Sequence, residues 1–489
     1  MAEIHHGATL TPSKQALIEG WIGGQRWYAA KGSTPRTRRV RSFRFDDPAG
    51  EVGIETLIVA DESGPDPVVY QVPLTYRGAP VDGLEHALVG TMEHSVLGTR
   101  WVYDACHDPV YATQLLAAIQ GGVRAVSSSE TDAVDPSITG TRHPQWSATA
   151  TVRTAKVLTG EQSNTSIILD CETGDGDSKP LICKVFRMLQ PGHNPDVELQ
   201  SALRSAGSDR VPEVVGQLTG TWADGSGEDV ELDLAFAQEF LPGTRDAWRE
   251  ALDAVDAGTD FSASARALGE ATAEVHVALA QSFGTQGTTH ETGSRLVSEM
   301  RRRARSAAGQ AGQLDHYLPR IDALYAEAAQ APWPPLQRIH GDYHLGQVLH
   351  SAQRGWVLLD FEGEPMRPLA ERRRPDLWLR DVAGMLRSFD YAGGSAEQSA
   401  PGRSAREWVE ACRTAFLEGY AEQSGTDPRS YGPVLTAFEL DKALYEVVYE
   451  AANRPTWITI PLQAIDRLLA TDPAGDAAGS PAPAAQEDQ

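Results

Sequence analysis

Residues 340–365 read HGDYHLGQVLHSAQRGWVLLDFEGEP, and this stretch carries most of the functional information in the sequence. Asp342 is followed by an amide, Gln347, and an apolar segment then leads to a second carboxylate, Asp360. Phosphoryl transfer from a Mg²⁺-bound nucleotide needs a carboxylate that orients and deprotonates the attacking hydroxyl. It also needs oxygen ligands that hold the metal on the phosphates. The order and spacing of these residues therefore predict phosphotransferase chemistry.

Each residue of this stretch can be given a role. Protein kinases meet the same need with H-R-D-x-x-x-x-N followed by D-F-G, which matches the spacing from Asp342 to Gln347. Asp342 is the predicted catalytic base and contacts the acceptor hydroxyl. Gln347 and Asp360 are the predicted Mg²⁺ ligands, because Mg²⁺ prefers oxygen donors. His344 is assigned to the acceptor site, with orientation of the loop as the favoured alternative.

Length and composition limit the remaining possibilities. A chain of 489 residues exceeds what one hydrophobic core usually supports, so two or three domains are expected. The net charge of -24 argues against a nucleic-acid or anionic-membrane partner. The N-terminus lacks the apolar core of a signal peptide, and no apolar run approaches the ~18 residues of a membrane span. The four cysteines form no CxxC pair, which suits a reducing compartment, and a cytoplasmic protein is predicted.

The hydrophobic periodicity divides the chain into segments. Strand-like alternation dominates before residue 244 and helical periodicity after it, and a polar stretch at 127–140 indicates a boundary loop. The last residues are rich in Ala, Pro, Gly and acids, which predicts disorder. The predicted parts are an N-terminal domain at 1–130, a β-rich subdomain at 141–243, a helical lobe at 244–472 and a disordered tail at 473–489.

A nucleotide site is predicted in the β-rich subdomain. Lys184 lies in an apolar run, as the phosphate-binding lysine of V-A-I-K does, and a following helix offers Glu198 as its partner. Ser163 and Asn164 lie in a turn that takes the place of a phosphate-covering loop. The strand ending at 238–241 takes the place of a hinge, so Gln238 and Phe240 are predicted to contact adenine.

A third group of polar residues lies near the C-terminus. Glu446, Glu450 and Asn453 fall on one face of a predicted helix, and Trp457 follows it. Like charges at i and i+4 repel unless a cationic or hydrogen-bonding group lies between them. This pattern predicts a site for a polyhydroxylated sugar or an amine, and a solvated acidic face is the alternative.

The chain resembles the maltokinase-like sugar kinases of actinobacteria, a branch of the aminoglycoside-phosphotransferase, kinase-like superfamily. The segments that carry the resemblance are HGDYHLGQVL (340–349), LLDFEGEP (358–365), RDVAGMLRSFDYA (380–392), QRWYA (25–29) and YEVVYEAANRPTWITIPL (445–462). The resemblance implies an α+β, bilobal, protein-kinase-like fold with an N-terminal cap domain. It also implies a monomer that uses ATP and Mg²⁺ to phosphorylate a sugar.

The acceptor is left open between related substrates. Maltokinases make maltose 1-phosphate, whereas a related group phosphorylates glucosamine at O6. The Glu446/Glu450 pair favours glucosamine, because a carboxylate pair and a charged amine form strong hydrogen bonds. The leading hypothesis is therefore an ATP-dependent glucosamine kinase. The alternatives are a maltokinase, an aminoglycoside phosphotransferase, and a binding module without catalytic activity.

Overall fold

The computed structural model describes residues 7–128, 133–160, 163–223, 227–365, 367–400 and 402–470. These residues form two compact units. The first unit combines the chain up to Thr244 with Leu349–Arg374, and the second combines Arg245–Val348 with the chain from Pro375 onward. The predicted disordered tail at 473–489 lies outside the described residues.

The first unit begins with a large antiparallel sheet. Its strands, in spatial order, are β1 (Leu10–Thr11), β5 (Leu88–His94), β6 (Gly98–Asp104), β4 (Val68–Arg77), β3 (Gly53–Asp61), β2 (Thr37–Phe45) and β7 (Val126–Ser127), and β12 (Met188–Leu189) also pairs with β4. Helix α1 (Lys14–Ile22) begins after Ser13, whose side chain accepts a hydrogen bond from the Ala16 amide. Ile18 and Ile22 of α1 are buried with residues of β3, β4, β5 and β6 in one hydrophobic cluster.

A second antiparallel sheet forms the rest of the first unit. Its strands, in spatial order, are β8 (Ile138–Arg142), β13 (Val214–Ala223), β14 (Asp229–Glu239), β11 (Ser178–Phe186), β10 (Asn164–Thr173) and β9 (Ala150–Val157). The helices of this unit after α1 are α2 (Pro109–Ile119), α3 (Pro195–Ser205) and the short α8 (Leu369–Arg372). The neighbouring strands β17 (Val348–Ser351) and β18 (Gly355–Leu358) lead directly to Asp360.

The two sheets share one hydrophobic core. Phe43 and Ile54 of the first sheet, Leu115 of α2, and Ile167 and Val185 of the second sheet belong to the same buried cluster. The predicted parts 1–130 and 141–243 therefore lie in one compact unit, because α2 and the inner faces of both sheets bury their apolar side chains together. Strand β8 also occupies part of the predicted boundary loop at 127–140.

A buried ion pair joins the two sheets beside the end of β11. The Arg187 guanidinium contacts both carboxylate oxygens of Asp104, at 2.6 and 2.8 Å, and donates to Thr165 Oγ1 at 2.8 Å. It also lies over the ring of Trp27, 4.8 Å from the centroid. A guanidinium on an aromatic face with a carboxylate at its edge is a favourable arrangement when it is desolvated. Trp27 of the QRWYA segment therefore packs against this junction.

The second unit is mostly helical. Its long helices are α4 (Ala247–Ala257), α5 (Ser262–Phe283), α6 (His290–Gln310), α7 (Leu318–Gln330), α9 (Leu379–Ser399), α10 (Arg406–Ser424), α11 (Gly432–Asn453) and α12 (Thr459–Ala470), and its short strands are β15 (Arg245–Asp246), β16 (Leu336–Gln337) and β19 (Asp376–Leu377). Helices α5 and α10 approach closely at two glycines. A Cβ on Gly269 would lie 2.0 Å from the carbonyl oxygen of Phe416, and one on Gly419 would lie 2.2 Å from that of Arg266. Any larger residue at these positions would separate the helices.

Helices predominate after residue 244, as the helical periodicity of the sequence predicts. Strand β13 and helix α12 were not predicted. All four cysteines are free and buried. Among the described residues, no helix combines the length and the apolar character that crossing a bilayer requires.

Candidate functional site

Lys184 lies among three carboxylates in the first unit. Strand β11 places its Nζ 2.9 Å from Asp196 Oδ2, 3.0 Å from Asp360 Oδ1 and 3.0 Å from Glu362 Oε1. Burial alone would lower the pKa of Lys184, but the three carboxylates outweigh it and hold this pKa well above its usual value. We call these four residues the Lys184 cluster. Its single ammonium remains charged throughout the physiological pH range.

The partner of Lys184 on α3 is Asp196, so the prediction that Glu198 pairs with this lysine is wrong. Asp196 is 1% exposed, and its Oδ1 accepts hydrogen bonds from Gln200 Nε2 at 2.6 Å and from the Phe361 amide at 2.8 Å. Residues two apart on a helix point to opposite sides. Glu198 therefore faces away from the cluster, with its Oε2 4.0 Å from Arg373 Nε. Its assignment to the nucleotide site loses its basis.

Asp360 has an unusual backbone. Its φ of 62° lies in the left-handed region, and among the described residues no other non-glycine residue has a positive φ. This conformation costs an L-residue about 1–2 kcal/mol, although aspartate tolerates it better than most residues. Because the Phe361 amide is bonded to Asp196, the turn is held in place and directs the Asp360 carboxylate at Lys184. The Asp360 side chain remains 42% exposed.

Glu362 completes the cluster and was missed in the sequence. Its Oε1 accepts hydrogen bonds from Lys184 Nζ at 3.0 Å and from Asn164 Nδ2 at 2.8 Å. Burial raises the pKa of Glu362, and the neighbouring carboxylates raise it further against the opposing effect of Lys184. The sequence did contain a signal for Glu362: it stands two residues after Asp360, at the position where the D-F-G motif has glycine.

The donor set of the Lys184 cluster fits a hard cation. Ligand oxygens of Asp196, Asp360 and Glu362 all lie within 4.8 Å of one another, and carboxylate oxygens are the ligands Mg²⁺ prefers. Asp360, one of the two predicted metal ligands, belongs to this set. Gln347, the other, lies in the second unit on the single helical turn Leu345–Gln347. Its role as a ligand remains a prediction.

The other predicted nucleotide residues lie around the second sheet of the first unit. Asn164 begins β10 and is bonded to Glu362, while Ser163 precedes it and is half-buried. Gln238 is near the end of β14, and its buried Oε1 has no hydrogen-bond partner in the described part of the chain. The Phe240 amide donates to the Pro180 carbonyl at 3.0 Å, so the sheet already uses this predicted hinge donor. Residues 161 and 162 of the predicted phosphate-covering turn lie outside the described residues.

In the second unit, the loop that carries Asp342 is held by Asp381 at the start of α9. The carboxylate of Asp381 accepts hydrogen bonds from the amides of His340, at 2.8 Å, and Gly341, at 2.9 Å. Its Oδ2 also lies 2.9 Å from His276 Nε2. Burial alone would raise the pKa of Asp381, but the His276 hydrogen bond and its other partners hold this pKa below its usual value. An ionised, buried carboxylate therefore fixes the backbone beside Asp342.

Asp342 has a cationic neighbour that the sequence analysis did not identify. Lys442 Nζ on α11 lies 3.4 Å from Asp342 Oδ1, and both side chains are partly exposed. Its position beside Asp342 follows from the packing of α11 in this unit, so the local sequence around Lys442 does not indicate this contact. The contact places a positive charge beside the predicted catalytic carboxylate.

His344 has a structural role in the loop. Its Nδ1 accepts a hydrogen bond from the Gly346 amide at 3.0 Å, which caps the turn Leu345–Gln347. The Leu345 amide in turn donates to Ser388 Oγ at 3.1 Å. The favoured alternative for His344, orientation of the loop, fits these contacts. Its assignment to the acceptor site remains a prediction.

The predicted acidic face of α11 is not an open pair of carboxylates. Glu446 Oε2 accepts hydrogen bonds from Arg387 Nη2 at 2.6 Å and Nε at 3.0 Å, and it is 8% exposed. Glu450 is 1% exposed and accepts from Arg454 Nη2 at 2.6 Å and Nε at 2.9 Å. The alternative of a solvated acidic face is therefore wrong, because both carboxylates are buried against an arginine. The predicted acceptor site stays a prediction. Arg387 comes from α9, far away in sequence.

The remaining predicted acceptor residues lie at the exposed end of α11. Asn453 donates to the Tyr449 carbonyl at 2.9 Å, and the Arg454 guanidinium lies over the Trp457 ring, 4.7 Å from its centroid. The Tyr449 ring is 45% exposed and forms a second aromatic neighbour of Arg454, at 5.7 Å. A cation thus already occupies the place between Glu450 and these aromatic rings.

Comparison with known families agrees with this arrangement. The sequence profile described as "Phosphotransferase enzyme family" matches residues 154–433. The chain belongs to this phosphotransferase family. A second profile, "Maltokinase N-terminal cap domain", matches residues 21–108, which correspond to the first sheet. The predicted family and the predicted N-terminal cap are therefore confirmed.

Two curated relatives of this phosphotransferase are glucosamine kinases. One, from Streptacidiphilus jiangxiensis, is 29% identical over 297 residues, which cover 57% of this chain and 66% of the relative. Another, from Mycolicibacterium smegmatis (strain ATCC 700084 / mc(2)155), is 28% identical over 364 residues, covering 70% of this chain and 88% of the relative. The aligned part thus spans slightly less than two thirds of the first relative.

A solved structure supports the predicted fold. A glucosamine kinase in complex with glucosamine, ADP and inorganic phosphate aligns with a TM-score of 0.65 at 23% identity, covering 94% of this chain and all of that chain. The phosphotransferase described here therefore has the predicted α+β, kinase-like fold with an N-terminal cap.

Proposed function

We propose that this phosphotransferase is an ATP- and Mg²⁺-dependent kinase that transfers the γ-phosphate of ATP to O6 of D-glucosamine. The observation that carries the proposal is the positioned carboxylate of Asp342, which lies beside Lys442 on a loop clamped by Asp381. The 28–29% identity to two glucosamine kinases supports the choice of acceptor.

Asp342 acts on the acceptor hydroxyl. The hydroxyl oxygen attacks the γ-phosphorus, the bond from this phosphorus to the β,γ-bridging oxygen breaks, and the hydroxyl proton passes to Asp342. Because Asp381 and His276 fix the backbone on its N-terminal side, Asp342 is held ready for this proton. Positioning of this kind is the main contribution that a protein makes to phosphoryl transfer.

The Lys184 cluster serves the nucleotide. Lys184 has three carboxylate partners, so a phosphate group can replace one of them without leaving the lysine unpaired. Asp360 and Glu362 would hold Mg²⁺, and the bound metal would neutralise charge on the phosphates. Asp196, the most buried member, would keep Lys184 oriented with the metal bound to the other two carboxylates.

The proposed ammonium site is Glu450 rather than Glu446. Arg387, the partner of Glu446, has a side chain that is 1% exposed. If it moved away, Glu446 would remain buried as an unpaired charge. Arg454 on Glu450 has a side chain that is 46% exposed, so it can move into solvent. The ammonium of glucosamine would then replace the guanidinium between Glu450 and the ring of Trp457. Tyr449 and Asn453 complete this proposed acceptor site.

An acceptor panel tests the proposal. The purified protein is assayed with ATP and Mg²⁺ against glucosamine, maltose, glucose and an aminoglycoside, and the product is identified by ³¹P NMR. We expect the highest kcat/KM for glucosamine, with the phosphate on O6. Turnover of maltose but not of glucosamine would contradict the proposal.

The cap profile supports the second candidate function, a maltokinase. The substitution Glu450→Gln separates the two candidates, because maltose has no ammonium. It should raise KM for glucosamine at least about tenfold through loss of a charge-assisted hydrogen bond. Glucosamine kinetics unaffected by Glu450→Gln would remove the ammonium site from the account. The exposed Glu418→Gln is the matched control.

A further inference from the structure

One face of the cap sheet changes from apolar to charged along its strands. Leu57 of β3, Leu74 of β4 and Val102 of β6 are buried beneath Ile18 of α1. Helix α1 begins only at Lys14, so it does not cover the ends of these strands. The same face there carries charged and aromatic side chains.

These uncovered strand ends line a cavity of about 520 Å³. This volume falls within the roughly 300–1,000 Å³ of ordinary small-molecule sites. Its apolar side chains include Leu10, Met92 and Leu97, and its polar ones are Lys14, Arg44, Glu51, Glu55, Tyr76, His94, Arg100 and Ser128. The lining is therefore amphipathic and concave, and it comes entirely from the first unit.

Glu55 gives this cavity a built polar floor. It is 5% exposed, its Oε2 accepts a hydrogen bond from the Tyr76 hydroxyl at 3.0 Å, and it forms an ion pair with Lys14. Burial raises the pKa of Tyr76 well above its usual value, so this hydroxyl stays protonated. Arg44 lies directly across from Glu55 in the pairing of β2 with β3.

Arg100 brings an additional positive charge to the rim. No hydrogen bond or ion pair of its guanidinium is found within the described ranges of the chain. A Cβ on Gly78 would lie 2.7 Å from Arg100 Nη1, so the glycine leaves space for this guanidinium. With Lys14 and Arg44, the cavity has three permanent cations against the buried Glu55 and the exposed Glu51. This local excess stands out in a chain of net charge -24.

We propose that this cap cavity binds a phosphorylated sugar. The arginines match a phosphate, because their planar forks donate two hydrogen bonds each to such a group. Glu55 and Tyr76 offer an acceptor and a hydroxyl to sugar hydroxyls, and Met92 and Leu10 provide apolar contact. An anion without a sugar would leave Glu55 unused, and a neutral sugar would leave Arg100 unpaired.

The cavity is connected through β2 to the core that the first and second sheets share. Arg44 faces the cavity, and its neighbours Phe43 and Phe45 face the core that the two sheets share. A ligand that holds Arg44 therefore contacts the strand on which this core packs. The cap thereby has a binding function separate from phosphoryl transfer.

Calorimetry with glucose 6-phosphate tests the proposal, with inorganic phosphate and glucose as separate arms. The titrations use the full chain carrying Asp342→Asn, so that no turnover occurs. We expect glucose 6-phosphate to bind more tightly than either other compound. Adding Arg100→Ala should weaken this binding at least about tenfold, because a charge-assisted hydrogen bond to the phosphate is lost. Arg38→Ala, an exposed arginine of the same strand as Arg44, should leave it unchanged.

Each other outcome overturns the proposal. Binding of glucose 6-phosphate that Arg100→Ala does not weaken would place the ligand outside the cap. Equal binding of inorganic phosphate would show an anion site without sugar recognition, and absence of binding would show no site. In a protein that keeps Asp342, the single substitution Arg100→Ala should leave kcat and KM for the acceptor at the parent values. Unchanged kinetics then show that the variant is folded, so lost binding reflects the cavity.

Discussion

The two carboxylate-rich regions of this phosphotransferase are built in opposite ways. In the Lys184 cluster, one ammonium faces three carboxylates, and the side chain of Asp360 is partly exposed. Along α11, by contrast, Glu446 and Glu450 each have their own arginine. The cluster has an excess of negative charge, whereas the α11 network is close to neutral.

This difference in charge balance indicates that the Lys184 cluster serves function and the buried α11 network serves stability. Unbalanced carboxylates repel one another and persist where they serve a cation or a ligand, as at sites with perturbed pKa values. Balanced buried pairs are costly to break but not catalytic in themselves. We therefore expect substitutions in the cluster to reduce turnover and substitutions in the buried part of the α11 network to reduce stability.

The largest effect should come from Arg387→Ala. This change leaves the buried Glu446 without its guanidinium. It also removes one of the arginine partners of Asp390, whose Oδ2 lies 2.6 Å from Arg387 Nη1. Breaking a buried pair typically costs about 3–5 kcal/mol of the free energy of unfolding. Urea denaturation measures it, and Arg295→Ala, an exposed arginine, is the matched control. A loss as small as that of the control would mean that the network is not structural.

Asp360→Asn should have the opposite effect: it should reduce activity but not stability. Loss of a carboxylate that helps to neutralise the transferred phosphate should lower kcat about 10²–10³-fold, as loss of one electrostatic stabiliser does elsewhere. The substitution also removes a charge from a crowded cluster, so the metal-free protein should unfold at the same urea concentration or a higher one. Steady-state kinetics and denaturation check both halves, with Asp175→Asn as the exposed control. Full activity would exclude Asp360 from the nucleotide site.

Glu362→Gln should have a pH-dependent effect on stability. The pKa of Glu362 is raised in the folded protein, so its ionisation opposes folding above the ordinary glutamate pKa of about 4.3. In metal-free protein, the substitution should therefore stabilise at neutral pH, and the gain should disappear as pH falls below that value. Added Mg²⁺ should stabilise the parent protein more than the variant. A stability difference that is independent of pH would contradict the assigned pKa shift.

The smallest effect should come from Glu198→Gln. Because this carboxylate faces away from Lys184, KM for ATP should change less than about twofold. Asp196→Asn, which removes the actual partner of Lys184, should raise KM for ATP clearly more. If the two variants ranked in the opposite order, the assignment of Asp196 would be wrong.

What the sequence predicts well is local. Lys184 in an apolar run, Asp342 in its loop and Asp360 after a strand can each be recognised from a few neighbouring residues. The choice of Glu198 over Asp196 failed because the face of α3 that packs inward was not known. The N-terminal cap was also predicted correctly, although the burial of its sheet with the second sheet in one core was not.

What the sequence does not show is long-range pairing. Glu446 is neutralised by Arg387, 59 residues earlier in the chain, and the clamp on Asp342 depends on Asp381 and His276 from separate helices. No periodicity within α11 reveals that its acidic side chains are buried against arginines. Lys442 beside Asp342 likewise follows from the packing of α11.

The most direct test of the account is the rate of glucosamine phosphorylation by Asp342→Asn. The account predicts a fall in kcat of about 10²–10⁴-fold, the usual contribution of a positioned general base, with binding of ATP retained. Asp322→Asn, an exposed carboxylate of the same unit, should keep the parent rate. If the Asp342→Asn variant phosphorylated glucosamine at the parent rate, the central claim that Asp342 is the catalytic base would be contradicted.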